Sequence, residues 1–150
     1  MAEASSVMQS ITFAAWRDGT PCSSGAARRH YVTLAELLVR LGSFGLGLTW
    51  KARIDDTQHI DDTQHTVFAE MERASVGSGI GTLELLALAA PHLQAVDAVF
   101  WGYADGDLVV ILREVDSTSW DVCTANEWVL CEIRRHYPDA SPIPSGGWDT

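Results

Sequence analysis

One lysine, Lys51, serves the whole of this 150-residue chain, and ten basic residues stand against twenty acidic ones. With no other lysine, neither a nucleotide-binding P-loop nor a kinase-type strand lysine can be assembled in its usual place. The negative balance disfavours bare nucleic acid and anionic membrane, because phosphate contacts need a basic face. Cysteine is scarce as well: Cys22, Cys123 and Cys131 are odd in number and form no C-x-x-C pair, so neither a disulfide framework nor a cysteine zinc site is indicated. A G-x-S-x-G elbow and a cysteine–histidine nucleophile motif are both missing. The longest apolar runs, residues 85–91 and 108–112, fall far short of a membrane span, and residues 1–10 lack a basic stretch leading into an apolar core. These absences lead us to expect a soluble, cytoplasmic protein with reduced thiols.

Apolar residues make up 47% of the sequence and charged residues 20%, ordinary usage for one globular domain of this length. We place that domain at residues 1–140, followed by a tail at 141–150 rich in proline and glycine. The net charge of −10 is unevenly spread. Between Ile54 and Glu127 fourteen acids face only Arg73 and Arg113, whereas the remainder holds six acids and eight bases. At the start of that acidic stretch a hexapeptide is written twice without a gap, Ile54-Asp55-Asp56-Thr57-Gln58-His59 and Ile60-Asp61-Asp62-Thr63-Gln64-His65. Six is a multiple of the strand period and not of the helical one. Only an extended conformation would therefore put Asp55, His59, Asp61 and His65 on one side, and we expect either a protruding strand-loop or wide hairpin or a continued strand ladder.

Periodicity supplies the elements. Ile11, Phe13 and Ala15 alternate in a first strand, closed by a turn at 17–21 and a small-residue loop at 22–30. Thr33 with Glu36 forms a capping box ahead of Leu34, Leu37, Leu38 and Leu41, a helix stopped by Gly42. Residues 46–54 alternate as a second strand, residues 67–74 form a short helix, and Gly77, Gly79 and Gly81 make a connector before an apolar helix at 82–90. The spacing of that glycine run is not a dinucleotide fingerprint. Asp105-Gly106 is a two-residue hairpin signal between two strands. The second of these, 108–115, is apolar on both faces at its start and belongs mid-sheet. A short strand at 120–123 and a last helix, capped by Thr124 with Glu127, complete the order β-α-β-(acidic insert)-α-β-β-β-α. That order predicts an α+β fold: a mainly antiparallel sheet of about five strands with helices packed on one face. Cys131 is expected on the buried side of the last helix. Trp50, Trp101 and Trp128 fit core periodicities, while Trp120, set among Glu114, Asp116 and Asp121, has the surroundings of an interface anchor as well as a core position.

The strand running into Trp16-Arg17-Asp18-Gly19, then Thr33-Leu34-Ala35-Glu36-Leu37-Leu38, is similar to the start of some small bacterial immunity proteins. That resemblance covers about a quarter of the chain and implies a non-enzymatic protein that neutralises a toxin. Charge layout and resemblance lead to the same expectation: a small acidic inhibitor, immunity-like or anti-defence-like, that occludes a basic protein partner without a cofactor. Its contact residues would be Asp55, Asp56, Asp61, Asp62, Asp105, Asp107, Glu114, Asp116 and Trp120, and direct contact with nucleic acid or membrane is not expected. An alternative is a metal-dependent hydrolase or small-ligand binder drawing on Asp55, Asp61, His59 and His65, with Asp56 and Asp62 beside them. A third is an assembly subunit that buries its apolar faces against copies of itself.

Overall fold

The structure is a computed structural model that describes residues 7–21, 27–56, 62–89 and 95–143. Its main element is a seven-stranded sheet, antiparallel throughout, in the order β5-β4-β6-β7-β8-β1-β9. The strands are β1 (Gln9–Ala14), β4 (Thr49–Asp56), β5 (Ile80–Gly81), β6 (Asp97–Ala104), β7 (Asp107–Val115), β8 (Ser119–Thr124) and β9 (Ser141–Pro142). A separate two-stranded arm pairs β2 (Trp16–Pro21) with β3 (Ala27–Tyr31). Five helices accompany the sheet: α1 (Leu34–Arg40), α2 (Gly42–Leu46), α3 (Asp62–Ser75), α4 (Thr82–Ala89) and α5 (Glu127–His136). The α+β architecture is the expected one. Two strands more than expected join the sheet because β5 and β9 are two-residue edge strands, too short to leave an alternation in the sequence.

Pleating divides the sheet residues into two sets. Ile11, Phe13, Trp50, Phe100, Val110, Leu112, Trp120 and Val122 point to the helical side and share one core with Leu37, Phe68, Leu85, Leu130 and Ile133. On the other face Val99, Ile111 and Cys123 form a small second cluster with Met8 and Trp101. No helical residue among those described contributes to it. β7 is the fourth of the seven strands, which is why its run Val110, Ile111, Leu112 is buried on both faces.

Local chemistry fixes the turns. Thr33 Oγ1 accepts from Glu36 N at 3.1 Å, the expected cap of α1. Asp105 (φ 52) and Gly106 (φ 86) occupy the left-handed region, as a two-residue hairpin between β6 and β7 demands. The last helix is capped differently from the sequence reading: Asn126 Oδ1 accepts from Val129 N. Thr124 instead ends β8, buried, with its hydroxyl donating to Val109 O at 2.8 Å. On α5 the inward residues are Val129, Leu130 and Ile133, so Cys131 and Trp128 fall on the outer side; Cys131 is exposed and Trp128 is 50% exposed. The expected turn at 17–21 is strand β2, and part of the expected 22–30 loop is β3.

The described residues of the two hexapeptide copies adopt different structures, and residues 57–61 lie outside the described residues. Ile54, Asp55 and Asp56 finish β4, whereas Asp62 to His65 open α3. Extended alignment of the copies is therefore overturned. The physical reason lies downstream of the second copy: Phe68 and Met71, at helical spacing, are fully buried in the core, and that packing selects helix over the local preference of Asp-Asp-Thr-Gln-His.

Both sheet edges are closed by side chains as well as by short strands. Ala52 N donates to Ser75 Oγ at 2.9 Å, and Ser75 Oγ in turn donates to Met71 O at 2.7 Å. At the far edge Ala14 N donates to Asp139 Oδ2 at 2.8 Å. Free strand edges invite pairing with other chains, and these acceptors occupy the outward-pointing amides.

Candidate functional site

Antiparallel register brings the acids together at one end of the sheet. β4 runs toward Asp55 and Asp56, and Asp56 lies opposite Asp97, the first residue of β6. β7 returns antiparallel, so Ala98 pairs with Glu114 and the β7–β8 turn at 116–118 reaches the same end. There Asp116 N donates to Asp97 Oδ1 at 2.8 Å. Asp116 and Ser117 adopt φ of 52° and 55°, and the turn is held by Thr118 N to Val115 O, Ser117 N to Val96 O and Ser117 Oγ to Ala95 O. Asp55 and Asp116 are exposed. Asp62 begins α3 after the five residues that follow Asp56.

On the face away from the helices, this end opens into a groove of about 670 Å³ along β6 and β7. Its floor is Val99 and Ile111, with Trp101 and Leu108 farther along and Asp55, Asp97 and Val115 at the acidic end. Arg53 and Arg113 flank it in one cross-strand row with Val99. Both cations are engaged: Arg53 Nε lies 3.0 Å from Asp55 and its guanidinium covers the Trp101 ring at 5.4 Å. Arg113 holds Asp121 through Nη2 at 2.6 Å and Nε at 3.1 Å.

The expected contact residues divide into four groups. Asp55 and Asp116 are brought together on the acidic end, and Asp56 joins them by backbone register. Asp105 and Asp107 are exposed at the hairpin on the opposite end, about 27 Å away along β7 at ~3.3 Å per residue. Glu114 and Trp120 are corrections: they are 2% and 1% exposed, on the helical side of the sheet, and neither is available to a partner. Trp120 sits in the core because its neighbours in β8 alternate inward with it; its indole N–H donates to Val32 O at 2.7 Å. Burial pushes the Glu114 carboxyl up to about 9, opposed in part by a hydrogen bond from the backbone of Ala95, so it is uncharged at neutral pH. Asp61 lies outside the described residues, as does His59, and for Asp62 and His65 only the backbone is described. The proposed ligand set is thus represented by the side chain of Asp55 alone, which pairs with Arg53. Among the described residues no group of three or more histidine, cysteine or acidic side chains is arranged to hold a metal, and no helix is long and apolar enough to cross a membrane.

Two residues of this end were missed in the sequence. Asp97 immediately precedes the strand 98–103, and in an antiparallel sheet the start of one strand meets the end of the next; that juxtaposition with Asp116 was readable. Trp16 is 37% exposed beside the same turn, with its indole N–H donating to Ser117 O at 3.0 Å. Tyr31 meets its ring edge-on at 4.9 Å and the Arg29 guanidinium lies 5.5 Å above it. Its signal was phase: Ile11, Phe13 and Ala15 point inward, so Trp16 had to leave that pattern. A third cluster anchors the arm. Tyr137 stacks on Phe13 at 4.3 Å and donates to Glu36, and Glu36 also bonds His30. Arg17 covers the Tyr137 ring and pairs with Asp139 at 2.5 Å. Burial and Glu36 both raise the Tyr137 phenol above its ordinary value.

No protein-family model matches this chain, and no curated protein or solved structure matches it significantly.

Proposed function

We propose that this protein is a non-enzymatic binding module that occludes a basic protein partner through the acidic end of its sheet. The observation that carries the reading is the convergence of Asp55, Asp97 and Asp116, with Asp56 at the same end by backbone register, beside an apolar-floored groove on the sheet face away from the helices. Carboxylates at an edge steer a cationic partner over distances of a screening length, and an adjacent dry surface supplies short-range affinity. Trp16, in contact with Ser117, Tyr31 and Arg29, takes the anchor role first considered for Trp120, since tryptophan is among the residue types that carry most binding energy at interfaces. An immunity-like or anti-defence-like inhibitor is a protein of this kind.

The test is affinity capture from the native source on the immobilised chain, at low and high salt, beside a triple variant Asp55→Asn, Asp97→Asn, Asp116→Asn. The reading expects a basic protein that is retained by the parent chain at low salt and lost from the variant. Equal retention by both chains, or an acidic protein as the retained species, overturns it.

A further inference from the structure

We propose that the groove beside the acidic end is the seat of an extended segment of that basic partner, with the pattern basic-x-apolar-x-apolar. The inference deepens the proposed function and rests on it.

Its geometry comes from the strand repeat. Asp97, Val99 and Trp101 succeed one another on the same face of β6, each about 6.6 Å from the last at ~3.3 Å per residue. From Asp97 to the level of Leu108, which pairs with Tyr103, the groove is about 20 Å long, enough for roughly six extended residues. An extended occupant has the same period of two. A side chain at Asp97 is therefore succeeded, two and four residues on, by side chains over Val99 and over Trp101.

Charge decides what those side chains are. Arg53 and Arg113 already hold Asp55 and Asp121, and the Arg53 guanidinium covers one face of Trp101. Asp97 has no ion pair among the described residues, and only a backbone amide, that of Asp116, donates to it. Glu114, whose side chain is buried on the helical side of the sheet, brings no negative charge to the groove. The end of the groove thus lacks one cation, while the buried floor of Val99 and Ile111 offers nothing to a polar group. A lysine or arginine completes Asp97, and aliphatic side chains complete the floor. Self-pairing along a sheet edge is a poorer fit, because Ser75 and Asp139 already occupy outward amides there.

The experiment is an amide-resolved NMR titration of the full chain with the capped pentapeptide lysine-serine-leucine-serine-leucine. Two controls accompany it, one with both leucines replaced by serine and one with the lysine replaced by glutamate. Shifts are expected in β6 from Asp97 to Trp101 and in β7 from Ile111 to Val115, with affinity about tenfold lower for each control. Shifts confined to Asp97 and Asp116, equal for the leucine-free peptide, overturn the groove and leave the acidic end as the docking surface. Equal binding of the glutamate peptide overturns the charge assignment, and no shift at about 5 mM peptide overturns the seat altogether. Trp101→Ala, checked for unchanged folding by circular dichroism, is expected to reduce both peptide binding and partner capture; capture undiminished by this variant counts against the groove alone.

Discussion

Replacing Glu114 by glutamine isolates the cost of burying one carboxyl in the core. The carboxyl lies on the helical side of the central strand, 2% exposed, against Leu34, Phe68, Ala95, Phe100 and Trp120. Its folded-state value of about 9, against an ordinary 4.5, means that folding takes up a proton wherever the pH lies between those two figures. Below 4.5 both states are protonated and the wild-type protein has its full stability. As pH rises the unfolded chain ionises while the folded carboxyl stays neutral, and stability falls by about 1.4 kcal/mol per unit until the folded group also ionises near 9. At pH 7 the loss amounts to about 3 kcal/mol. Glutamine keeps the shape and the acceptor for the backbone of Ala95 but does not titrate. The stability difference between Glu114→Gln and wild type should therefore grow by about 3 kcal/mol between pH 4 and pH 7, or roughly 9 °C in melting temperature for a domain of this size. Denaturant titrations of both proteins at several pH values measure it, and every other titrating group cancels in the difference. A difference that stays constant within about 0.5 kcal/mol across this range would mean that Glu114 is ionised in the folded protein, and the argument from burial would fail.

Three other variants probe the hydrogen bonds and the repeat. Thr82→Val removes the acceptor of Trp50 Nε1 at 2.8 Å and the donor to Gly45 O; since both atoms are buried, it should cost about 2–3 kcal/mol in a urea titration despite its matched volume. Ser75→Ala leaves Ala52 N without its side-chain acceptor at the β4 edge; a loss of about 1–2 kcal/mol is expected, with faster amide exchange at Ala52. Deleting Ile60 to His65 forces one hexapeptide to end β4 and begin α3 at once, so the first turn of α3 should unwind. Because the buried Phe68 and Met71 remain, the melting temperature should fall by less than about 8 °C, and a larger drop would show that this turn is structurally essential.

Residues whose partners are local in sequence were legible: the Thr33 cap, the Asp105-Gly106 hairpin and the two-sided burial of β7 each depend on neighbours a few positions away. The hexapeptide was not, because the described residues of the first copy end a strand while those of the second open a helix, according to the core contacts of Phe68 and Met71. Trp120 and Glu114 misled for a related reason. Arg113 and Asp121, adjacent to them in sequence, alternate to the opposite face and Asp116 lies in the turn, so a polar stretch contains an inward-facing row. Within the candidate site, the acidic bias of the middle of the chain was evident, but its division into two ends about 27 Å apart is a property of strand direction. Asp97, which completes the cluster, emerges only when the start of β6 is set beside the end of β7.

The most direct test of the docking account is the association rate of the captured partner, measured by stopped flow between about 50 and 500 mM salt, where the screening length shrinks from roughly 14 to 4 Å. A chain steered by Asp55, Asp97 and Asp116 should lose at least about tenfold in association rate over that range, with little change in dissociation, and its triple asparagine variant should start from the lower rate. An association rate indifferent both to salt and to the three substitutions would contradict the assignment of this end of the sheet as the docking surface.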